Sequence, residues 1–88
     1  MGFEWDPGKE RRNISGHGLD FDKASKIVSA HGFERRSDRR GEARWQRTGE
    51  MGGKLWTVVF TKRGETSRII SARRARKDEE REYRALYP

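Results

Sequence analysis

The sequence predicts a small α+β domain in which helices pack on an antiparallel β-sheet, in the order β-α-α-β-β-β-α. Three observations support this class. Asp6 and Asp20 mark two helix starts near the N-terminus. Two later segments, 55–61 and 66–73, are rich in β-branched and aromatic residues. The length of 88 residues suits one domain, 1–88, and excludes folds that enclose a dinucleotide.

The first strand and helix follow from local signals. Phe3-Glu4-Trp5 alternates like a short strand. Asp6 is a good N-cap and Pro7 suits the first helical position, so a helix is predicted from residue 7 to about residue 16. Ile14 is its only large apolar residue, so an apolar stripe alone does not hold this helix against a core.

The second helix has a stronger apolar pattern. Asp20 is its predicted N-cap, and Gly32 is predicted to end it. The residues at 3.6-residue spacing are Phe21, Ala24, Ile27, Val28 and His31. This stripe favours a partly buried His31 that packs in the core rather than a catalytic one.

The second half of the chain reads as strands followed by a closing helix. The predicted strands are 43–48, 55–61 and 66–73, with turns at 49–53 and 62–65 and a helix from 75 to about 87. Residues 33–41 are compatible with a short strand plus a loop, or with a loop throughout. A regular loop at 62–65 pairs Val58 with Ile69, and Arg68 and Arg73 then point to opposite faces unless a bulge intervenes.

Positive charge is concentrated in the middle of the chain. The formal net charge is +7, and residues 35–76 carry thirteen basic and four acidic side chains. Such a segment attracts polyanions through phosphate contacts and counterion release. The sequence therefore favours a nucleic-acid or acidic-partner surface over a merely solvated one.

Several classes of protein are excluded or disfavoured. No apolar run is long enough to cross a membrane or to serve as a signal peptide. The absence of cysteine excludes disulfides and thiolate zinc sites and fits a cytoplasmic protein. Gly52-Gly53 is not followed by the Lys-Ser/Thr pair of a phosphate loop, and we expect neither a metal site nor a cofactor.

Two blocks of the sequence resemble the BrnT toxin family. The first runs from Phe3 to Lys9 and continues with Asn13, His17-Gly18 and Phe21. The second runs from Arg68 to Arg73 and continues with Ala75, Glu79 and Tyr83. The resemblance implies a RelE-like fold and a toxin of a type II toxin–antitoxin pair, which inhibits translation by cutting RNA. It also implies a BrnA-like antitoxin partner that has a ribbon-helix-helix DNA-binding part. The toxin–antitoxin complex would then bind DNA only through the antitoxin.

Metal-independent RNA cleavage requires groups that move protons and groups that neutralise the phosphoryl oxygens. Lys9, Asn13 and His17 share one face of the first helix, and Trp5 lies near its foot. We expect His17 to be the acid or base and Lys9 to hold the phosphate or donate a proton. The alternatives are that His17 only ends the helix and that Lys9 is a solvated lysine.

Arg68 and Arg73, in the second block, are the predicted cations for the reacting phosphate. The alternative is a salt bridge, for example from Arg73 to Glu79 or Asp6. Glu79 is a base only if burial raises its pKa, and an ion pair is the other interpretation.

Further RNA contacts are predicted on the basic and aromatic surface: Arg44, Arg47, Arg74, Arg76, Trp5 and Tyr83. Core packing is the alternative for the two aromatic residues.

Two other functions stay open for the whole chain. One is a non-catalytic nucleic-acid-binding module, and the other is an inactive toxin homologue that acts through its partner.

Overall fold

A computed structural model describes residues 2–88, which form five strands and three helices. In chain order they are β1 (Gly2–Trp5), α1 (Pro7–His17), α2 (Phe21–Ser29), β2 (Phe33–Arg36), β3 (Trp45–Met51), β4 (Lys54–Arg63), β5 (Thr66–Arg74) and α3 (Lys77–Leu86). The predicted α+β class is confirmed. The predicted order lacks one strand, β2, whose presence confirms the alternative of a short strand plus a loop within residues 33–41.

The sheet is mixed, with the strand order β1-β5-β4-β3-β2. Strands β2 to β5 form an antiparallel meander, whereas β1 lies parallel to β5. The prediction of a purely antiparallel sheet is therefore wrong. The chain leaves β1 through two helices and re-enters the sheet at the opposite edge, so the meander brings β5 back beside β1 in the same direction.

Both predicted N-caps are present. The Asp6 carboxylate accepts hydrogen bonds from the backbone N–H groups of Gly8 (2.7 Å) and Lys9 (3.3 Å), and these lower its pKa. Asp20 accepts from the N–H of Lys23 at 2.8 Å. Helix α1 ends at Gly18, whose φ of +84° suits glycine. Each helix start is thus fixed by a side chain within three residues of the backbone that it caps.

Helix α2 ends earlier than predicted. It stops at Ser29, because Ala30 is extended, and Gly32 does not cap it. Gly32 packs on strand β3, where an added Cβ would lie 2.7 Å from the Thr48 carbonyl oxygen. His31 is exposed, 5.6 Å from the ring of Tyr87, so its predicted place in the core stripe is wrong.

The core lies between α2 and the sheet. It consists of Leu19, Phe21, Ala24, Ile27, Val28, Trp56, Val58, Phe60, Ile69 and Ala72. Helix α1 buries only Asn13 of its own residues. The prediction that an apolar stripe does not hold α1 is consistent with this packing.

A β-bulge at Ile70 changes the register within β5. Phe60 pairs with Ile69 and Val59 with Ser71, so Ile70 has no partner on β4. The predicted pairing of Val58 with Ile69 is wrong, because the turn is only the two residues 64–65 and the strands extend further. The bulge puts Arg68 and Arg73 on the same face, opposite the core, since they pair with Thr61 and Thr57.

The other turns and ends differ in detail. The turn between β3 and β4 is narrowed to Gly52 and Gly53, both with positive φ, instead of 49–53. Ala75 precedes α3 and donates its N–H to the Leu55 carbonyl at 3.0 Å. Among residues 2–88, no helix is both long and apolar enough to span a bilayer.

Candidate active site

Helix α1 and strand β5 line an open, shallow cleft of about 320 Å³. Its lining residues are Lys9, Arg12, Asn13, His17, Ile70 and Ser71. The structure therefore brings together Lys9 and His17, two of the four predicted catalytic residues. Sequence analysis missed Arg12, although its position three residues after Lys9 places it beside the same face of the helix.

The cleft exists because β5 is longer than β1. Strand β1 pairs with β5 only up to Ile69, so no strand lies beside the rest of that edge. Asn13 occupies the gap: its Oδ1 accepts the N–H of Ala72 at 3.0 Å, and its Nδ2 donates to the Leu19 carbonyl at 2.9 Å. Asn13 is a buried anchor that fixes α1 against β5, and its neighbours Lys9 and His17 stay exposed.

His17 is the last residue of α1 and lies at one end of the cleft. Within residues 2–88, its imidazole makes no hydrogen bond to a carbonyl of the helix, and the backbone N–H of Gly18 caps Asn13 and Ile14 instead. His17 therefore ends the helix with Gly18 as the cap, as the alternative interpretation expects, but its ring does not bond to the last carbonyls. The exposed imidazole of His17 lines the same cleft as Lys9 and Arg12.

A second cleft, of about 480 Å³, adjoins the first. Its lining residues are Lys9, Arg39, Arg40, Glu42, Arg44 and Ile70. Lys9 and Ile70 line both clefts, so the loop between β2 and β3 continues the surface that starts at His17. Four of its six lining side chains are cationic, which favours a polyanion there.

Arg68 lies on β5 beyond these clefts. It is opposite Glu4 on β1, and the Arg68 Nη1 to Glu4 Oε2 distance is 3.4 Å. It lines neither of the two clefts that contain Lys9. The structure thus does not bring Arg68 together with Lys9 and His17.

Arg73 is bound by the buried carboxylate of Glu79. The two guanidinium nitrogens donate to Oε1 and Oε2 at 2.7 and 2.9 Å. Glu79, 0% exposed, also accepts from Thr57 Oγ1, the Arg76 N–H and Arg35. The salt-bridge interpretation of Arg73 is confirmed, and this arginine is not free at either cleft.

The charge on Glu79 is stabilised by its donors. Burial raises the pKa of Glu79, but hydrogen bonds from Arg73, the Arg76 backbone and Thr57 outweigh burial and lower the pKa to about 2. The same contact with Glu79 raises the pKa of Arg73. A catalytic base with a raised pKa, considered for Glu79, is therefore wrong.

The model of one protein family matches residues 5–79 of the 88, and its description is ribonuclease toxin, BrnT, of type II toxin-antitoxin system. The chain belongs to the BrnT family. No curated protein is similar enough to count as a match. The resemblance found in the two sequence blocks is confirmed, and with it a family of ribonucleases that have RNA as substrate and an antitoxin as partner.

The structure separates the predicted RNA contacts of this BrnT chain. Arg44 lines the second cleft, with its Nε 2.8 Å from Glu42 Oε1. Arg47 lies against Glu34. Burial raises the pKa of Glu34, but the contacts with Arg47 and Lys62 outweigh burial, so the pKa is lowered. Of these two arginines, only Arg44 lines one of the two clefts that contain Lys9.

Four further predicted contacts lie elsewhere. Arg74 donates to the Leu55 carbonyl at 3.3 Å, and Arg76 is exposed at the start of α3. Trp5 packs edge-on against Phe21 with ring centroids 6.2 Å apart, as the core interpretation expects. Tyr83 stacks on Tyr87 at 5.0 Å. None of the four lines either cleft that contains Lys9.

No group of three or more potential metal ligands, counted among His, Asp and Glu, occurs within the described part of the chain. The basic side chains that line the cleft between α1 and β5 are the imidazole of His17, the ammonium of Lys9 and the guanidinium of Arg12. Metal-independent cleavage stays a prediction.

Proposed function

We propose that residues 1–88 form a toxin domain that cleaves RNA in the cleft between α1 and β5. The proposed cleavage does not use a metal ion. The observation that carries the proposal is the joint lining of this cleft by Lys9, Arg12 and His17. Membership of a ribonuclease family supports the reaction, and the cationic lining supports the substrate.

The reaction needs two proton transfers. The 2′-hydroxyl of the substrate attacks the adjacent phosphorus, the bond to the 5′-oxygen breaks, and the products are a 2′,3′-cyclic phosphate and a 5′-hydroxyl. His17 is suited to remove the proton from O2′ or to supply one to O5′, because imidazole exchanges protons near neutral pH. Such help is worth roughly 10²- to 10⁴-fold in rate.

Lys9 and Arg12 supply the positive charge. The phosphoryl oxygens gain negative charge as the new P–O bond forms, and cations fixed beside them stabilise that charge. Lys9 lies one helical turn from Arg12 on a helix that Asn13 anchors to the sheet. Both cations are therefore held on the same wall as His17.

A part for Arg68 and Arg73 at the reacting phosphate stays a prediction, and their ion pairs argue against it. Arg68 faces Glu4, and Arg73 is bound to Glu79. Replacing Arg68 with Ala tests this: a loss of cleavage as large as that of Lys9→Ala would restore Arg68 to the catalytic set.

The partner of this domain is proposed to be a BrnA-like antitoxin with a ribbon-helix-helix part, which alone binds operator DNA. Cleavage of RNA in the cytoplasm would inhibit translation and stop growth. Expression of the chain in bacteria tests this, with arrest expected and relief expected when the antitoxin is co-expressed. Harmless expression would support the alternative of an inactive homologue.

The decisive experiment is RNA cleavage by the purified protein in EDTA. Wild-type protein is expected to release 2′,3′-cyclic phosphate ends, and His17→Ala to lower the rate by about 10²-fold or more. His31→Ala is the matched control, because His31 is an exposed histidine stacked on Tyr87 and lines neither cleft. It should cleave as wild type does.

Three outcomes would contradict the proposal. Cleavage that stops in EDTA would remove its metal independence. Equal rates for His17→Ala and wild type would remove His17 from the reaction. RNA binding by wild type without any cleavage would favour the non-catalytic nucleic-acid-binding module.

A further inference from the structure

The loop between β2 and β3 ends in a tight hairpin of its own. Arg39 and Glu42 exchange backbone hydrogen bonds of 3.0 and 2.9 Å. Arg40 and Gly41 form the two-residue turn between them, with φ values of +52° and +79°. Positive φ at both positions is the type I′ pattern.

Arg40 is an unusual residue at this position. Within residues 2–88 it is the only non-glycine residue with a positive φ. Type I′ turns favour Asn or Asp there, because their short side chains tolerate the left-handed conformation. The turn itself does not explain an arginine, so another property of the side chain must.

The charges of the loop are paired except at its tip. Arg36 lies 2.8 Å from Asp38, and Arg44 lies 2.8 Å from Glu42. Within the described residues, Arg39 and Arg40 form no ion pair with any carboxylate. Both are exposed and line the second cleft with Lys9.

We propose that Arg39 and Arg40 form a second phosphate subsite, which binds the backbone of single-stranded RNA next to the phosphodiester that is cut. This inference rests on the proposed function, because the first cleft sets the position of the scissile phosphate. Lys9 and Ile70 join the two clefts, so a strand held at His17 extends over the hairpin tip. The subsite recognises the charge and spacing of the backbone phosphates rather than the identity of the bases.

Binding of a non-cleavable strand tests the subsite. The probe is a fluorescent hexanucleotide with 2′-O-methyl riboses, of mixed base composition, and a dinucleotide of the same chemistry is the short reference. The double variant Arg39→Ala/Arg40→Asn is expected to bind the hexanucleotide about tenfold or more weakly. The plot of log affinity against log salt concentration has a negative slope, and the magnitude of that slope should decrease by about 1.4. This is about 0.7 for each of the two lost phosphate contacts. Dinucleotide binding should be unchanged.

The matched control removes the same charge elsewhere. Arg81→Ala/Arg84→Ala changes two exposed arginines of α3, which line neither cleft with Lys9. This variant should keep the hexanucleotide affinity and salt slope of wild type. Equal losses in both double variants would overturn the subsite, because the effect would then follow from net charge alone.

Arg40→Asn separates binding from folding. Asn suits the turn better than Arg, so the melting temperature should equal or exceed that of wild type while hexanucleotide binding weakens. A lower melting temperature with unchanged binding would overturn the proposal, since Arg40 would then serve the fold. Wild-type RNA binding with weakened antitoxin binding would overturn it too, in favour of a protein-docking tip.

Failure of this inference is distinguishable from failure of the proposed function. His17→Ala is expected to lower the cleavage rate by about 10²-fold or more and to leave binding of the 2′-O-methyl hexanucleotide intact. The Arg39→Ala/Arg40→Asn variant is expected to weaken binding and to leave the cleavage of a dinucleotide intact. The cleavage rate thus tests the role of His17, and hexanucleotide binding tests the role of Arg39 and Arg40.

Discussion

Asn13 supplies two of the hydrogen bonds that hold helix α1 against its neighbours. Its amide bridges the Ala72 N–H of β5 and the Leu19 carbonyl that follows the helix. An amide can do this because it carries a donor and an acceptor on one planar group. The orientation of Lys9 and His17 toward the cleft depends on that bridge.

We predict that Asn13→Ala lowers the free energy of unfolding by about 2–4 kcal/mol, because it leaves two buried backbone groups without partners. Ile14→Ala is the control, since Ile14 is the next residue of the same helix and is 46% exposed. It should change stability by less than about 0.5 kcal/mol. Chemical denaturation measures both, and equal effects would show that Asn13 is no anchor.

Helical spacing was enough to place Lys9, Asn13 and His17 on one face, because that relation is local. The burial of Asn13 was not predictable, since its partner Ala72 is 59 residues away in the chain. Likewise, the charge map included Arg39 and Arg40 but gave no reason to separate them from paired arginines such as Arg73.

Helix starts and strand pairing differ in how far they depend on distant residues. Asp6 and Asp20 cap their helices through contacts two or three residues away, so both were predictable. The short strand β2 and the parallel pairing of β1 depend on partners nine or more residues away. No local pattern distinguishes a parallel from an antiparallel neighbour for a four-residue strand.

Helix α3 is fixed to the sheet by charge rather than by an apolar face. Glu79 is its only buried residue, and it binds Arg73 of β5 and Arg35 of β2. Removing one partner of a buried ion pair costs about 3–5 kcal/mol, because the other charge stays uncompensated. The position of α3 therefore depends on the ionised state of one carboxylate.

This dependence predicts an acid-sensitive fold. The pKa of Glu79 is lowered from 4.5 to about 2, so its contribution is present above pH 4.5 and is lost as pH falls toward 2. The loss amounts to about 3 kcal/mol. Urea unfolding at pH 7 and at pH 2–3 measures most of this loss.

Glu79→Gln should flatten this pH dependence, whatever its effect on stability at pH 7, because the amide does not titrate. Glu82→Gln, which changes an exposed acid of the same helix, should keep the wild-type dependence. A Glu79→Gln profile parallel to that of wild type would mean that other carboxylates control the acid response.

Across the whole molecule, the free positive charge covers a smaller area than the sequence suggests. Most arginines between residues 35 and 76 that could face a polyanion have a carboxylate within 4 Å: Arg35, Arg36, Arg44, Arg47, Arg68 and Arg73. Lys9, Arg12, Arg39 and Arg40, by contrast, form no ion pair within residues 2–88 and lie along two adjoining clefts. These four cations thus form one continuous cationic surface along the two clefts.

The most direct test of this account maps a bound RNA strand onto the protein. Backbone amide chemical shifts of the ¹⁵N-labelled chain would be followed as the 2′-O-methyl hexanucleotide is added. We predict the largest changes in α1 between Lys9 and His17, at Ile70 and Ser71, and in the loop around Arg40. Changes centred on α3 instead, with residues 9–17 unaffected, would contradict the assignment of the cleft between α1 and β5 as the site of RNA cleavage.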